Sequence, residues 1–253
     1  MQNIFLKTRR QKGYEQWKKE VNLKILSLTT SSKICSAAIL EDDEIIKEVI
    51  TNNKITHSVT LMPMIDNLFK NVNYKLADMD LIVCDVGPGS FTGIRVGAAT
   101  TKAFSDALSI NAIGISSLEA LAYNVKQEGI ICSIIDAKHD NVYVGIFENI
   151  NGKHILKEDL DIKNIDDLIE ELKDKYYIEQ NIIFVGDGID VYKEKILNAL
   201  SKVKISSDNM ISAINIARAG MDHLVDNKYN EVLPLYLRKT QAELDKDIKE
   251  NLK

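Results

Sequence analysis

The stretch DLIVCDVGPGSFTGIRVGAATTKAFSDALS, residues 80–109, decides how the rest of the chain is read. It opens with an apolar run broken only by Asp85, which predicts a strand buried on both faces. Gly87-Pro88-Gly89 ends that run, and from Ile94 apolar and small residues recur at helical spacing. A strand that turns into a helix needs a parallel neighbour to return to, and INAIGI at 110–115 supplies one. The helix SSLEALAYNV follows at 116–125.

Working outward, KILSLTT (24–30), ICSAAIL (34–40) and EIIKEVI (44–50) predict a three-stranded meander. In THSVTLMPMIDNLFKNV (56–72), Val59, Met62, Ile65 and Phe69 share one helical face while Leu61, Met64 and Leu68 share its neighbour, and Pro63 is expected near the helix start. After Gly129 the order repeats. IICSIIDA and NVYVGIFE are strands, a third spans His154 to Leu160, and a helix over Ile165 to Leu172, the strand IIFVGD and a helix over Val191 to Leu200 follow. The expected fold class is therefore α/β, with duplicated β-β-β-α-β-α lobes in the two-lobed architecture of the actin, sugar kinase and Hsp70 (ASKHA) superfamily. Expected boundaries are an N-terminal lobe at 23–118 carrying the partner surface, a C-terminal lobe at 119–208, and a closing helix (MISAINIARAGMDHLV) and segment at 209–238. A charged tail is expected at 239–253.

Residues 1–22 read as an extension: the first twenty carry six Lys or Arg against two Glu. A basic arm, or an upstream start with Val21 as the true initiator, are the two readings of it. The chain as a whole has 253 residues, 45% of them apolar and 27% charged, with 32 basic against 37 acidic residues, so coating nucleic acid by bulk positive charge is excluded. No apolar run reaches the roughly 18 residues of a membrane span, and the protein is expected to be cytoplasmic with no membrane partner.

Cys35, Cys84 and Cys132 are far apart in strand-like surroundings and are expected to be buried reduced thiols. His57, His139, His154 and His223 show neither HExxH nor an i, i+4 pair, so no metal site is expected. The loop Gly87, Gly89, Ser90 is a candidate anion cradle, although it matches neither a P-loop nor GxGxxG, and Ser90 equally serves as a helix cap. Gly93 and Gly97 smooth one face of the following helix. Beside the broad helix at 56–69 this suits pairing with a like pair from another subunit or packing within the lobe. The first turn, Thr29-Thr30-Ser31-Ser32, offers hydroxyls without a carboxylate in the strand before it, whereas the second-lobe turn Asp136-Ala137-Lys138-His139-Asp140 has acids that can bind a metal, act as a base or cap a turn.

HSVTLMPMIDNLF, GPGSFTGIRVGAATTKA, SSLEALA, DAKHDNVYVGIFE, VGDG and PLYLR, in order across residues 24 to 238, resemble the signature segments of the TsaB (YeaZ) family, bacterial tRNA threonylcarbamoyladenosine biosynthesis proteins and paralogues of the transferase TsaD. The resemblance implies a noncatalytic dimerisation subunit that binds and activates TsaD, with no catalytic residue and no cofactor of its own. Ser117 and Leu121 stand where the catalytic paralogue has two metal-binding histidines, and Thr29 stands where the family usually has Asp. The implied interface comprises His57, Leu61, Met64, Ile65, Leu68, Gly93, Ile94, Gly97 and Thr101 in a four-helix bundle with TsaD, and Gly97→Arg is expected to block it without unfolding the lobe. Further implied partners are a TsaE-type ATPase, tRNA indirectly through the complex, and a second copy in a homodimer; a nucleotide at the subunit interface stays open. The alternative reading is an ATP-dependent small-molecule kinase of the same superfamily, and a metalloprotease is a third.

Overall fold

A computed structural model describes residues 22–52, 56–176, 181–226, 228 and 230–237. The expectations for residues 1–21 and for the tail at 239–253 lie outside these. The chain divides into two compact units. The first takes the described residues up to Val86, then Ser90–Ile115 and Ile211–Leu233; the second takes Gly87–Gly89, Ser116–Met210 and the described residues from Pro234.

In the first unit, β1 (Lys24–Thr29), β2 (Cys35–Glu41) and β3 (Glu44–Thr51) form the meander, followed by α1 (His57–Phe69), β4 (Leu81–Asp85), α2 (Phe91–Leu108) and β5 (Asn111–Ile115). The sheet order is β3-β2-β1-β4-β5, antiparallel on the meander side and parallel from β1 through β5. The parallel strands β1 and β4 are buried on both faces, which explains why apolar residues there do not alternate with charged ones. Leu61, Met64, Ile65 and Leu68 of α1 fill one side against Leu26, Leu28, Ala37 and Ile39. The other side takes the last helix, Ala213–Val225, labelled α6 below, whose Gly220 lies so close to β4 that an added Cβ would stand 2.6 Å from the Val83 side chain. Ser212 caps this helix and also donates to Glu48 at 3.1 Å, fixing it to β3.

In the second unit the helix α3 (Ser117–Ala122) precedes β6 (Gly129–Lys138), β7 (Asn141–Ile150), β8 (Lys153–Leu156), β9 (Asp161–Asn164), α4 (Ile165–Lys175), β10 (Ile182–Val185), α5 (Gly188–Ala199) and β11 (Lys204–Ile205). Its sheet order, β11-β10-β6-β7-β8, is the first unit's order with each strand replaced by its counterpart. Alternate residues Ile130, Cys132 and Ile134 meet Leu168, Ile169, Ile189 and Ile196 of α4 and α5.

Two details depart from the sequence reading. The single third strand over His154 to Leu160 is two short strands, because both β8 and β9 pair with β7, on different halves of it. Pro63 lies inside α1 rather than at its start; it is exposed, so its ring crowds only the solvent side of the turn above. The cysteines are free and buried as expected, and burial pushes the thiols of Cys35 and Cys84 up to about 11 and about 12.

Candidate functional site

Helix α1 offers solvent Ser58, Val59, Met62, Pro63 and Asp66, and α2 offers Thr92, Arg95, Ala99 and Ala103. Val59 is 62% exposed and Met62 51%, one helical turn apart on a helix whose inner face is already filled. The small side chains of Ala99 and Ala103 leave the α2 side low. This is a helix-pair surface with apolar knobs on one member and, on the other, small side chains flanked by Arg95 and Lys102, suited to an opposing helix.

The residues assigned to that surface from the sequence fall elsewhere. Leu61, Met64, Ile65, Leu68, Ile94 and Thr101 are buried within the first unit. The broad apolar surface of α1 is two faces, and the sheet claims the wider one because each large side chain buried there contributes roughly 1.5–3 kcal/mol. Gly93 and Gly97 also face inward: an added Cβ would stand 1.9 Å from the carbonyl oxygen of Thr30 at the first and 2.5 Å from the Thr30 hydroxyl at the second. Gly97→Arg would therefore drive a long charged side chain into this contact, and the expectation that it spares the fold is corrected.

The turn that demands those glycines is Thr29-Thr30-Ser31-Ser32. Thr30 donates its hydroxyl to the Gly93 carbonyl at 2.7 Å, the Ser31 carbonyl accepts the Ser90 amide at 2.7 Å, and His57 Nε2 lies 2.7 Å from the Ser32 carbonyl. One turn thus holds the first residues of both helices. Beneath it lies Asp85, fully buried at the end of β4, whose Oδ2 accepts the Thr29 hydroxyl at 2.6 Å and the Ser31 hydroxyl in a shorter bond. Sequence reading missed this carboxylate because it looked for an acid in β1. The signal was the lone Asp inside an apolar run, next to Thr29 across the parallel β1–β4 register in which Leu28 faces Cys84.

In the glycine-rich loop, Gly87 has φ 98 and its carbonyl accepts the Ser117 amide at 2.8 Å, while the Ser90 hydroxyl caps α2 by accepting the Gly93 amide at 3.3 Å. The Ser90 amide and hydroxyl are thus used within the protein, and the capping reading describes this residue. In the second unit the carboxyl of Asp136 caps its own turn, accepting the Lys138 amide at 2.9 Å and pairing with the Lys138 ammonium. Burial alone would raise its pKa, but the hydrogen bonds and charge of Lys138 outweigh this and hold it below the usual carboxylate value. Asp187, past the end of β10, accepts the Asp136 amide at 3.1 Å. Ser117 and Leu121 are buried on α3. Leu121 packs where a Cβ on Gly186 would come within 3.0 Å of it. Among the described residues no group of three or more His, Cys, Asp or Glu could hold a metal ion. Also among them, no helix is long and apolar enough to cross a membrane.

A groove of about 850 Å³ lies at the other end of the first sheet, where β4 and β5 begin and α2 ends, lined by Leu23, Met79, Asp80, Leu108 and Ile110 among others. None of the sequence-predicted site residues borders it.

Residues 44–245 match the family model described as TsaD, tRNA N6-adenosine threonylcarbamoyltransferase. The tRNA threonylcarbamoyladenosine biosynthesis protein TsaB of Bacillus subtilis is 34% identical over 179 residues, covering 70% of this chain and 76% of that protein. The TsaB protein of Haemophilus influenzae is 28% identical over 234 residues, covering 86% and 94%. Among solved structures, a Pseudomonas aeruginosa protein described as similar to peptidase YEAZ superposes with a TM-score of 0.74 at 23% identity over 85% of this chain and all of that one, and YeaZ from the same organism gives 0.72. These two likenesses bear on the fold, which is the two-lobed α/β architecture expected from the repeated strand and helix order.

Proposed function

The chain belongs to the TsaB (YeaZ) family, and from that premise we propose that it is a noncatalytic subunit that binds and activates a TsaD-type transferase during formation of N6-threonylcarbamoyladenosine in tRNA. The observation that carries this reading is the outward face of α1 and α2, where Val59 and Met62 of one helix and Ala99 and Ala103 of the other stand in solvent while the inner faces are already filled. The interface is this outward face, and the residues behind it shape it without touching the partner.

The noncatalytic part of the reading is supported by Ser117 and Leu121. A buried hydroxyl and a buried isobutyl group cannot replace two imidazoles as metal ligands, and refilling that space would require repacking α3. The competing kinase reading needs the hydroxyls of the first turn to reach a phosphate. Thr29 and Ser31 instead donate theirs to Asp85 beneath the turn, which takes both hydroxyl protons away from any phosphate above it. A TsaE-type ATPase, a homodimer formed through the same face when the transferase is absent, indirect contact with tRNA, and action in the cytoplasm complete the proposal.

Titration calorimetry of the chain into its cognate TsaD, with light scattering of the mixture, tests it. A one-to-one complex is expected, and Met62→Arg is expected to weaken it at least about 30-fold by placing a charge at the centre of a desolvated surface. A folded chain that shows no heat of binding would sink the subunit reading, and tight binding of Mg-ATP by the isolated chain would revive the kinase.

A further inference from the structure

The first turn does more than close a hairpin. Three of its residues reach the two helices of the outward face: Thr30 bonds the Gly93 carbonyl at 2.7 Å and fills the space in front of Gly93 and Gly97, the Ser31 carbonyl accepts the Ser90 amide at 2.7 Å, and Ser32 meets His57 at 2.7 Å. These contacts fall on the first turns of α1 and α2, next to Val59 and Met62 on one helix and Thr92 and Arg95 on the other. What fixes the turn in turn is one carboxyl group, Asp85, which no solvent reaches and which accepts from Thr29 and Ser31 together. A buried carboxyl is costly without donors, and Thr29 and Ser31 supply two of them, so the carboxyl and the two hydroxyls hold one another in place.

We propose that Asp85, with Thr29 and Ser31, is a positioning cluster for the partner surface: it touches no partner, but it sets where the helix pair α1 and α2 begins and hence the spacing of the face they present. The inference rests on the docking reading above and adds to it a residue that the interface could not reveal, since it is hidden beneath it. It also gives the hydroxyls of the first turn a use other than phosphate binding. Small displacements at a packed interface are costly because the facing side chains interdigitate, so a turn that relaxes weakens binding without contributing a contact.

The test exchanges the carboxyl between two neighbouring strands. Because Leu28 faces Cys84 in the parallel β1–β4 pair, Thr29 and Asp85 are the next residues along, and Thr29→Asp with Asp85→Thr rebuilds a carboxyl-hydroxyl pair from the opposite side. Affinity for the TsaD subunit is measured by calorimetry at denaturant-free conditions where circular dichroism shows each variant fully folded. Asp85→Thr alone is expected to weaken binding at least about 10-fold, Ser31→Ala about 3-fold to 5-fold, and the exchanged double variant is expected to recover to within about 3-fold of the natural chain. Affinity measured on fully folded variants is the readout that a purely structural role would not move, since a cluster that only stabilised the fold would leave the binding of the folded chain unchanged, and recovery in the double variant ties the loss to the contact between residues 29 and 85. Should Asp85→Thr fail to fold, Ser31→Ala and the double variant still decide. Unchanged affinity in Ser31→Ala and in folded Asp85→Thr overturns the proposal, as does a folded double variant that binds no better than Asp85→Thr or, where that variant does not fold, more than about 3-fold below the natural chain. Met62→Arg separates the two levels: if it binds like the natural chain, the docking surface itself is wrong, whatever Asp85 does.

Discussion

The turn after β1 and the turn after β6 occupy the same place in two sheets of the same strand order, and in both a carboxyl group from the end of a neighbouring parallel strand reaches across to the turn. Their chemistry is opposite. In the first unit Asp85 is buried beneath neutral hydroxyls, and the turn is pressed against two helices. In the second, the hairpin tip is exposed, with Lys138, His139 and Asp140 all at positive φ and an ion pair between Lys138 and Asp136 in reach of water. One duplicated scaffold thus holds one turn as an internal joint and the other as a charged surface. The difference lies in what packs on them: close helix approach at Gly93 and Gly97 excludes water from the first, and nothing comparable shields the side chains of the second.

Glycine substitution should break the comparison most sharply. Gly93→Ala sets a methyl group against a backbone oxygen that cannot move aside, and is expected to destabilise the first unit by on the order of 3 kcal/mol. Gly188→Ala, at the start of α5, meets the Ile134 side chain at 3.1 Å and its backbone carbonyl carbon at 3.3 Å, a milder approach than at Gly93, and is expected to stay within about 1 kcal/mol of the natural chain, because alanine's helix propensity offsets the crowding. Urea midpoints measured in parallel check both. Equal shifts would show that the first turn is no tighter than its counterpart.

Next in size is Thr30→Val, which keeps the shape of the side chain and removes the donor to the Gly93 carbonyl. A loss of about 1 to 2 kcal/mol is expected. A change below the error of the denaturation curve would mean that van der Waals contact alone holds the turn to α2.

The second unit's charges should matter less and depend on pH. Glu171 is held at about 2 by hydrogen bonds from Lys163 and Lys175, below an ordinary value of 4.5. A depressed carboxylate adds stability above its unfolded value and loses it as pH falls towards the folded one, so this contribution is present at neutral pH and fades from about pH 4.5 down to about pH 2. Glu171→Gln should cost about 1 kcal/mol near neutrality, since the network faces solvent, and nothing near pH 2. Equal losses at both pH values would remove the electrostatic explanation. The smallest effect is expected for Lys138→Ala, where a side chain 76% exposed leaves an ion pair already screened by water, and the urea midpoint should not move measurably. A large shift there would show the exposed turn to be as closely built as the buried one.

Much of this was legible in the linear pattern. The meander, the buried strand before Gly87, the Ser90 cap and the repeat of the same order after Gly129 all follow from local spacing and turn chemistry, and the structure reproduces them. Less legible was which face of α1 turns outward. Val59 and Met62 read as apolar in the same way as Leu61 and Met64, and only the position of the sheet assigns one pair to solvent and the other to the core. The glycines of α2 posed the same difficulty: a smooth face suits either a partner or a neighbour within the unit, and the neighbour is Thr30, 63 residues earlier than Gly93.

Periodicity, turn residues and the cluster of family segments are properties of neighbours along the chain, and these by themselves determined the two-lobed α/β class, the element order apart from the split between β8 and β9, and the family. Tertiary structure alone decided that α6, from the far end of the chain, covers the first sheet, that Asp85 lies beneath the Thr29–Ser32 turn, and that the expected interface residues are mostly interior. The physical reason is that burial is a competition among all apolar faces for a limited protected area. A residue's own type sets its stake in that competition, and the packing of distant segments sets the outcome.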